Sequence, residues 1–206
     1  VSEIANNSDD EYERLSVSDA ILPEQRLILI VVIRDNLFIL DCGGMTSQDI
    51  ANWSTWGYEH EVLSAGETDQ GVGAKCGMRN IADKRAYLVS VKNGMISKAG
   101  FIGNEEGGLK DRAQWFEDDA GPIADRPIDD AMGALAAELN EIGFDVGEEW
   151  RMGTMDDENI DDARGYLWEV IGRRQGWTLA VMEGIGKSIP LGESAANARR
   201  RTDVLL

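Results

Sequence analysis

Three short stretches of the chain hold residue types that can do chemistry. In Glu3-Ile4-Ala5-Asn6-Asn7-Ser8-Asp9-Asp10, a helix would place Glu3, Asn7 and Asp10 on one face, at i, i+4 and i+7. A carboxylate there can orient and deprotonate a water. An amide oxygen one turn on can complete the shell of a hard cation such as Mg²⁺, which takes few protein ligands. The other reading of the octet is a solvated helix face. Leu40-Asp41-Cys42-Gly43-Gly44-Met45-Thr46 closes an apolar run with a carboxylate and two glycines. Asp41 at a strand end can accept a hydrogen bond from an exocyclic amine, and Gly43 and Gly44 let a planar ring approach the backbone. A tight turn after a strand would look the same. Gly71-Val72-Gly73-Ala74-Lys75-Cys76-Gly77-Met78-Arg79 combines dense glycines, a lysine and the start of a helix. Converging backbone N–H groups, the helix dipole and the Lys75 charge would make an anion cradle. A flexible glycine loop is the alternative. The P-loop pattern GxxxxGK[ST] is absent, and the glycines do not directly follow a strand as a dinucleotide fingerprint requires.

The elements that must position these residues are readable in outline. Residues 1–15 are polar and helix-compatible, with Pro23 breaking the connector that follows. Residues 27–33 and 37–41 are apolar runs flanking Asp35-Asn36, a hairpin pattern. Residues 45–70 are polar, with Trp53, Trp56 and Tyr58 among them. The glycine-rich segment 71–77 is expected as a loop leading into a short helix at 78–82. Residues 86–91 and 95–99 predict a second hairpin across Asn93-Gly94, the favoured two-residue turn. Residues 111–125 are acidic and irregular. Ala131, Leu135, Leu139 and Ile142 recur at helical spacing within 128–142, with Asp129-Asp130 complementing the N-terminal dipole. Residues 160–174 predict another helix, acidic at its start and ending in Arg173-Arg174. Residues 177–182 predict a buried strand.

The chain has 206 residues and is 43% hydrophobic and 28% charged, a composition suited to one globular unit. A net charge of −18 argues against stand-alone nucleic-acid binding and against attraction to anionic membranes. The longest apolar stretch, 27–33, is strand-sized, so no membrane span is expected. Arginines outnumber lysines 14 to 6 on an acidic background, which fits a salt-adapted source. Cys42 and Cys76 lie outside any CxxC pattern, consistent with a reducing compartment, and a cytoplasmic location is expected. The single histidine, His60, sits between Glu59 and Glu61 and offers no histidine-based metal site or triad. Arg199-Arg200-Arg201 is expected in a solvated tail.

In this order and spacing the three stretches resemble the GHKL (Bergerat-fold) ATPase superfamily of gyrase B, ninety-kilodalton heat-shock chaperones, MutL and histidine kinases. The Glu3–Asp10 octet is similar to that family's E-L-x-x-N-[AS]-x-D helix. Asp41 to Thr46 looks like its D-x-G-x-G-M-[TS] box, and Gly71 to Arg79 like its lid-closing glycine box, in a form closest to the chaperone and MORC branches. The likeness covers about residues 1–100 and resumes at 176–181, where the family has a strand with a Thr near the adenine. The resemblance implies an α/β (α+β) two-layer sandwich with a mixed sheet, helices on one face and ATP between them. It implies Glu3 as general base, Asn7 as the Mg²⁺ ligand, and Asp10 within the nucleotide site. Asp41 would bind the adenine amine, with Gly43, Gly44 and Met45 beside the base. Gly71, Val72, Gly73, Ala74, Lys75 and Gly77 would wrap the phosphates, and Thr178 would support the adenine. Residues 45–70 would be the ATP lid.

The second box is one residue short, Asp-Cys-Gly-Gly-Met, and Thr178 follows Trp177 rather than Gly. The family has further residues before the Glu/Asn helix, so an N-terminally truncated chain is expected. Residues 1–191 are read as the ATP-binding domain, with an insertion or branch-specific region near 101–175, and 192–206 as a polar basic tail. The implied activity is slow Mg²⁺-dependent ATP hydrolysis used as a conformational switch, with a homodimer formed on ATP-dependent closure. The alternatives are a nucleotide-binding module without turnover, a protein-interaction domain, and, least favoured, a histidine-kinase phosphotransfer enzyme.

Overall fold

The run ILIVVI loses least by leaving water as an extended, β-branched strand, and it forms β1 (Ile28–Ile33). It pairs antiparallel with β2 (Asn36–Asp41) in the register Ile28↔Asp41 to Ile33↔Asn36. This computed structural model describes residues 27–55, 73–103, 108–110, 112–146, 158–185 and 202–205. The hairpin turn falls one residue earlier than the sequence suggests, at Arg34-Asp35, with Arg34 at φ +55°. Asn36 is drawn into the strand because its side-chain amide donates to the Ile142 carbonyl at 3.2 Å.

Helix α1 (Ser47–Ser54) follows, then α2 (Gly73–Ile81), β3 (Arg85–Lys92) and β4 (Met95–Ile102). The β3–β4 turn is the expected Asn93-Gly94, at φ +54° and +72°. Short strands β5 (Gln114–Trp115), β6 (Glu117–Asp118) and β7 (Gly121–Pro122) occupy the acidic stretch expected to be irregular, and β8 (Arg126–Pro127) follows it. Helix α3 (Ala131–Glu141) and helix α4 (Glu158–Arg174) precede β9 (Trp177–Glu183), and β10 (Thr202–Leu205) comes last. The strand order is β10-β1-β2-β9-β3-β4-β5, with β8 also on β4. Strand β9 therefore inserts between the two hairpins. The segment set apart as a tail returns to the sheet at Thr202–Leu205, where β10 pairs with β1.

Two expectations need correction. The sheet is not mixed: every ladder among the described residues is antiparallel. Nor are the helices on one face of a two-layer sandwich. One face carries Ile39, Ala180, Met182 and Phe101. It receives α1, whose Trp53 ring lies 6.0 Å from that of Phe101, and α2, whose Arg79 guanidinium lies 5.6 Å above the same ring. The other face carries Phe38, Val181 and Trp177. There the Trp177 indole N–H donates to the Ala131 carbonyl at 2.8 Å, and Phe38 meets Phe144 edge-on at 5.3 Å. Helix α4 lies beside α3, where Gly172 faces the Met132 sulfur. The physical reason is in the strands. β2 and β9 are buried along almost their whole length, on both alternations, so each face needs a covering layer.

Helix α3 forms as its spacing predicts. Asp130 caps it, accepting from the Met132 N–H at 3.0 Å, and Ala131, Leu135, Leu139 and Ile142 are all buried. Burying each leucine contributes about 1.5–3 kcal/mol. No helix among the described residues is long and apolar enough to cross a membrane.

Candidate functional site

One row of the sheet breaks the apolar pattern. Asp41 of β2 stands opposite Thr178 of β9, Thr178 opposite Ser90 of β3, and Ser90 opposite Ser97 of β4. Directly opposed residues in antiparallel strands point the same way, so these four share the face that carries α1 and α2. All four are buried, Asp41 and Thr178 with 8% of their surface exposed and Ser90 and Ser97 with 0% and 1%. The neighbouring row on that face, Ile39-Ala180-Leu88-Ala99, is wholly apolar. A buried polar group must be hydrogen-bonded or costs about 1–3 kcal/mol.

Those bonds are made. The Ser90 hydroxyl donates to the Trp177 carbonyl at 2.7 Å, lies 3.0 Å from the Thr178 hydroxyl, and accepts from the Met45 N–H at 2.6 Å. The Asp41 carboxylate accepts from the Gly43 N–H at 2.8 Å, which folds the chain sharply after β2. At the outer end of the row Asp125 accepts from Ser47 and donates its N–H to Ser97 at 3.1 Å, tying the start of α1 to β4.

The sequence assigned Gly44 to the approach of a planar ring. Its geometry gives a second reason for glycine. At φ +76° a side chain is strained, and a Cβ would lie 2.6 Å from the Val91 carbonyl oxygen and 3.5 Å from the Trp177 N. Gly44 is where the Asp41 turn packs against β3 and β9. Gly77 differs: a Cβ there would meet nothing within 4 Å.

The glycine box is helical earlier than the sequence suggests. Helix α2 begins at Gly73, so Gly73, Ala74, Lys75 and Gly77 lie on a helix rather than in a loop, and the helix is not confined to 78–82. Good helix formers at Ala74, Lys75, Met78 and Arg79 offset the glycine cost, and buried Met78 anchors the helix to the core. Lys75 is fully buried. Its ammonium donates to the carbonyls of Trp53 at 2.7 Å and Thr55 at 2.9 Å, at the C-terminal end of α1. A cation at that end also complements the helix dipole. In this arrangement Lys75 joins α1, which lies within the stretch read as a lid, to α2, which follows that stretch.

The first part of that stretch is ordered structure. Thr46 and Asp49 form a reciprocal capping box at the start of α1, and Ile50 is buried. Glu3, Asn7 and Asp10 lie outside the described residues, as do Gly71, Val72, His60, Trp56, Tyr58, Trp150 and Arg199 to Arg201. Neither Cys42 nor Cys76 is in a disulfide, and Cys42 is buried.

The opposite face holds a second charged group. Lys98, 2.7 Å from Glu138, lies over the rings of Tyr87 and Phe116, and Arg85 pairs with Glu183 at 2.6 Å and Glu141 at 3.3 Å. Desolvation pushes the Glu138 carboxyl above the usual carboxylate range despite Lys98, and burial likewise raises the Tyr87 phenol. The hydrogen bond to Glu183 raises Arg85 further. The Lys98–Glu138 and Arg85–Glu141 pairs bind α3 to the sheet. No group of three or more potential metal ligands occurs among the described residues.

Comparison with protein-family models and with curated proteins returns no match. The site must therefore be judged on its own geometry. Of the residues singled out by sequence, the described set brings Asp41, Gly43, Gly44, Met45 and Thr178 together around one end of β2 and β9, with Lys75 and Gly77 on α2, over the same face. Ser90 was missed. Its signal was legible, as the one aliphatic hydroxyl inside the run AYLVSV, where a strand buried on both faces has no reason to carry it.

Proposed function

We propose that this chain is an ATP-binding domain of the GHKL type, which hydrolyses ATP slowly with Mg²⁺ and uses the nucleotide as a conformational switch. The observation that carries the reading is the register Asp41↔Thr178. Two residues assigned to the adenine from separate stretches of sequence are immediate neighbours on one face, each buried but for 8% of its surface. Had the register slipped by one residue, Thr178 would face α3 instead.

The residues suit the chemistry by type. Asp41 offers a carboxylate to an exocyclic amine, and Thr178 stands beside it. Gly77 leaves open space beside α2 that a phosphate could occupy. Glu3 would orient the attacking water, and Asn7 would hold Mg²⁺, which would neutralise charge on the phosphates; catalysis would rest on positioning. A nucleotide-linked change in the stretch read as a lid would alter pairing with a second copy or another protein. A cytoplasmic location goes with this reading.

A nucleotide-binding module without turnover is the second reading, favoured by Lys75, whose ammonium is held by α1 carbonyls. Phosphate release from Mg-ATP separates the two. Wild type should release phosphate and Glu3→Ala should not, while both gain thermal stability from ATP. Equal release by both proteins would remove Glu3 from its role. No release by either, with ATP still stabilising both, would leave binding alone.

A further inference from the structure

We infer that Ser90 is a positioning residue that makes Thr178 a hydrogen-bond acceptor only, so that the Asp41–Thr178 edge takes a base through an amino group. This rests on the nucleotide-binding reading above. A serine hydroxyl has one proton and two lone pairs. The Trp177 carbonyl, 2.7 Å from the Ser90 oxygen, can only accept, so it receives the Ser90 proton. The Met45 N–H, at 2.6 Å, can only donate, so it takes one lone pair. The remaining contact, Thr178 at 3.0 Å, must then run from the Thr178 hydroxyl to Ser90. Every bonding capacity of Ser90 is used, and the single proton of Thr178 is spent.

What Thr178 retains is lone pairs. The carboxylate opposite it on β2 likewise accepts and does not donate. The edge formed by Asp41 and Thr178 is thus a run of acceptors, fixed by a buried serine two strands away from Asp41. A 6-aminopurine presents N–H donors to such an edge. A 6-oxopurine presents a carbonyl oxygen, which leaves acceptor facing acceptor in a desolvated place. Sites built this way discriminate strongly, because the mismatched polar groups stay unpaired. The Ser90–Met45 bond has a second effect: it pins the chain just after Gly43-Gly44, holding the Asp41 turn at a set distance from Thr178.

The test is the ratio of ATP to ITP affinity, by calorimetric titration in the presence of Mg²⁺, for wild type, Ser90→Ala, Ser90→Cys and Thr178→Val, and for Ser90→Ala combined with Thr178→Val. The cysteine variant keeps the volume if alanine impairs folding. Wild type should favour ATP by roughly 100-fold or more. Both Ser90 variants should narrow that ratio about tenfold, because the Thr178 hydroxyl regains a proton to donate. In the Thr178→Val background the Ser90 substitution should leave the ratio unmoved. A ratio unchanged in both single Ser90 variants, or narrowed equally in the Thr178→Val background, would overturn the inference while leaving ATP binding intact. Absence of binding by either nucleotide to the wild type would overturn the functional reading and this inference with it.

Discussion

Asp41 and Thr178 face each other across the β2–β9 ladder, in a row where the apolar side chains of that face give way to polar ones. That pairing depends on β9 entering between two hairpins formed far earlier in the chain. Long-range antiparallel pairing thus builds the candidate site, and what disturbs the junction of β2, β3 and β9 should disturb both fold and binding.

Glycines 44 and 77 should respond oppositely to alanine. Gly44→Ala adds a Cβ 2.6 Å from a backbone oxygen at a positive φ, and should cost about 2–4 kcal/mol in urea unfolding. Gly77→Ala adds a methyl in open space on a helix, and should stabilise by about 0.5–1 kcal/mol. If α2 takes phosphate, that same alanine should weaken ATP binding, so stability and affinity move in opposite directions.

Lys75 is a structural tie before it is anything else. Lys75→Met removes donors to the Trp53 and Thr55 carbonyls, and should lower stability without nucleotide by about 2 kcal/mol. Hydrogen exchange should quicken first at the end of α1. Unchanged stability and exchange would show that the lysine does not hold the two helices together.

The Lys98–Glu138 pair offers a test of sign. Burial holds the Glu138 carboxyl above its ordinary value of 4.5, with the attraction of Lys98 too weak to reverse it. The folded protein therefore binds that proton more tightly than the unfolded chain. The associated stability is present below pH 4.5 and is lost as pH rises through the folded value. Glu138→Gln should flatten the stability profile just above that pH. At neutral pH it should change stability by less than about 1 kcal/mol, well short of the 3–5 kcal/mol usual on breaking a buried pair. Glu141, 3.9 Å from Lys98, remains as a partner. A loss above about 3 kcal/mol would mean that the pair outweighs its desolvation.

Much of the fold is legible in the sequence, for reasons that can be stated. The apolar runs of β1, β2 and β9 and the Asn93-Gly94 turn leave few choices, and the spacing of Leu135 and Leu139 places α3 on the core. Helix α1 is hidden in a polar stretch, although Thr46 and Asp49 are spaced as a capping box and Ile50 and Trp53 are the side chains it packs inward. The early start of α2 is masked by glycines, whose low propensity is overridden by the packing of Met78. The second helical layer follows from strands buried on both faces, a feature visible only once β9 is known to lie in the centre. Asp41 and Thr178 stand out by sequence, whereas Ser90 shows only as a hydroxyl in an apolar run, because its role lies in partners on two other segments, Met45 and β9.

The most direct measurement is calorimetric titration of Mg-ATP into wild type and Asp41→Asn. The asparagine keeps an oxygen able to accept from the Gly43 N–H, so the turn survives, but it can place an N–H donor against the amine of the base. The account predicts saturable binding by wild type and a loss of roughly 100-fold or more in Asp41→Asn, with the melting temperature of the ATP-free protein little changed. Equal affinity of the two proteins, or no binding by the wild type, would contradict it.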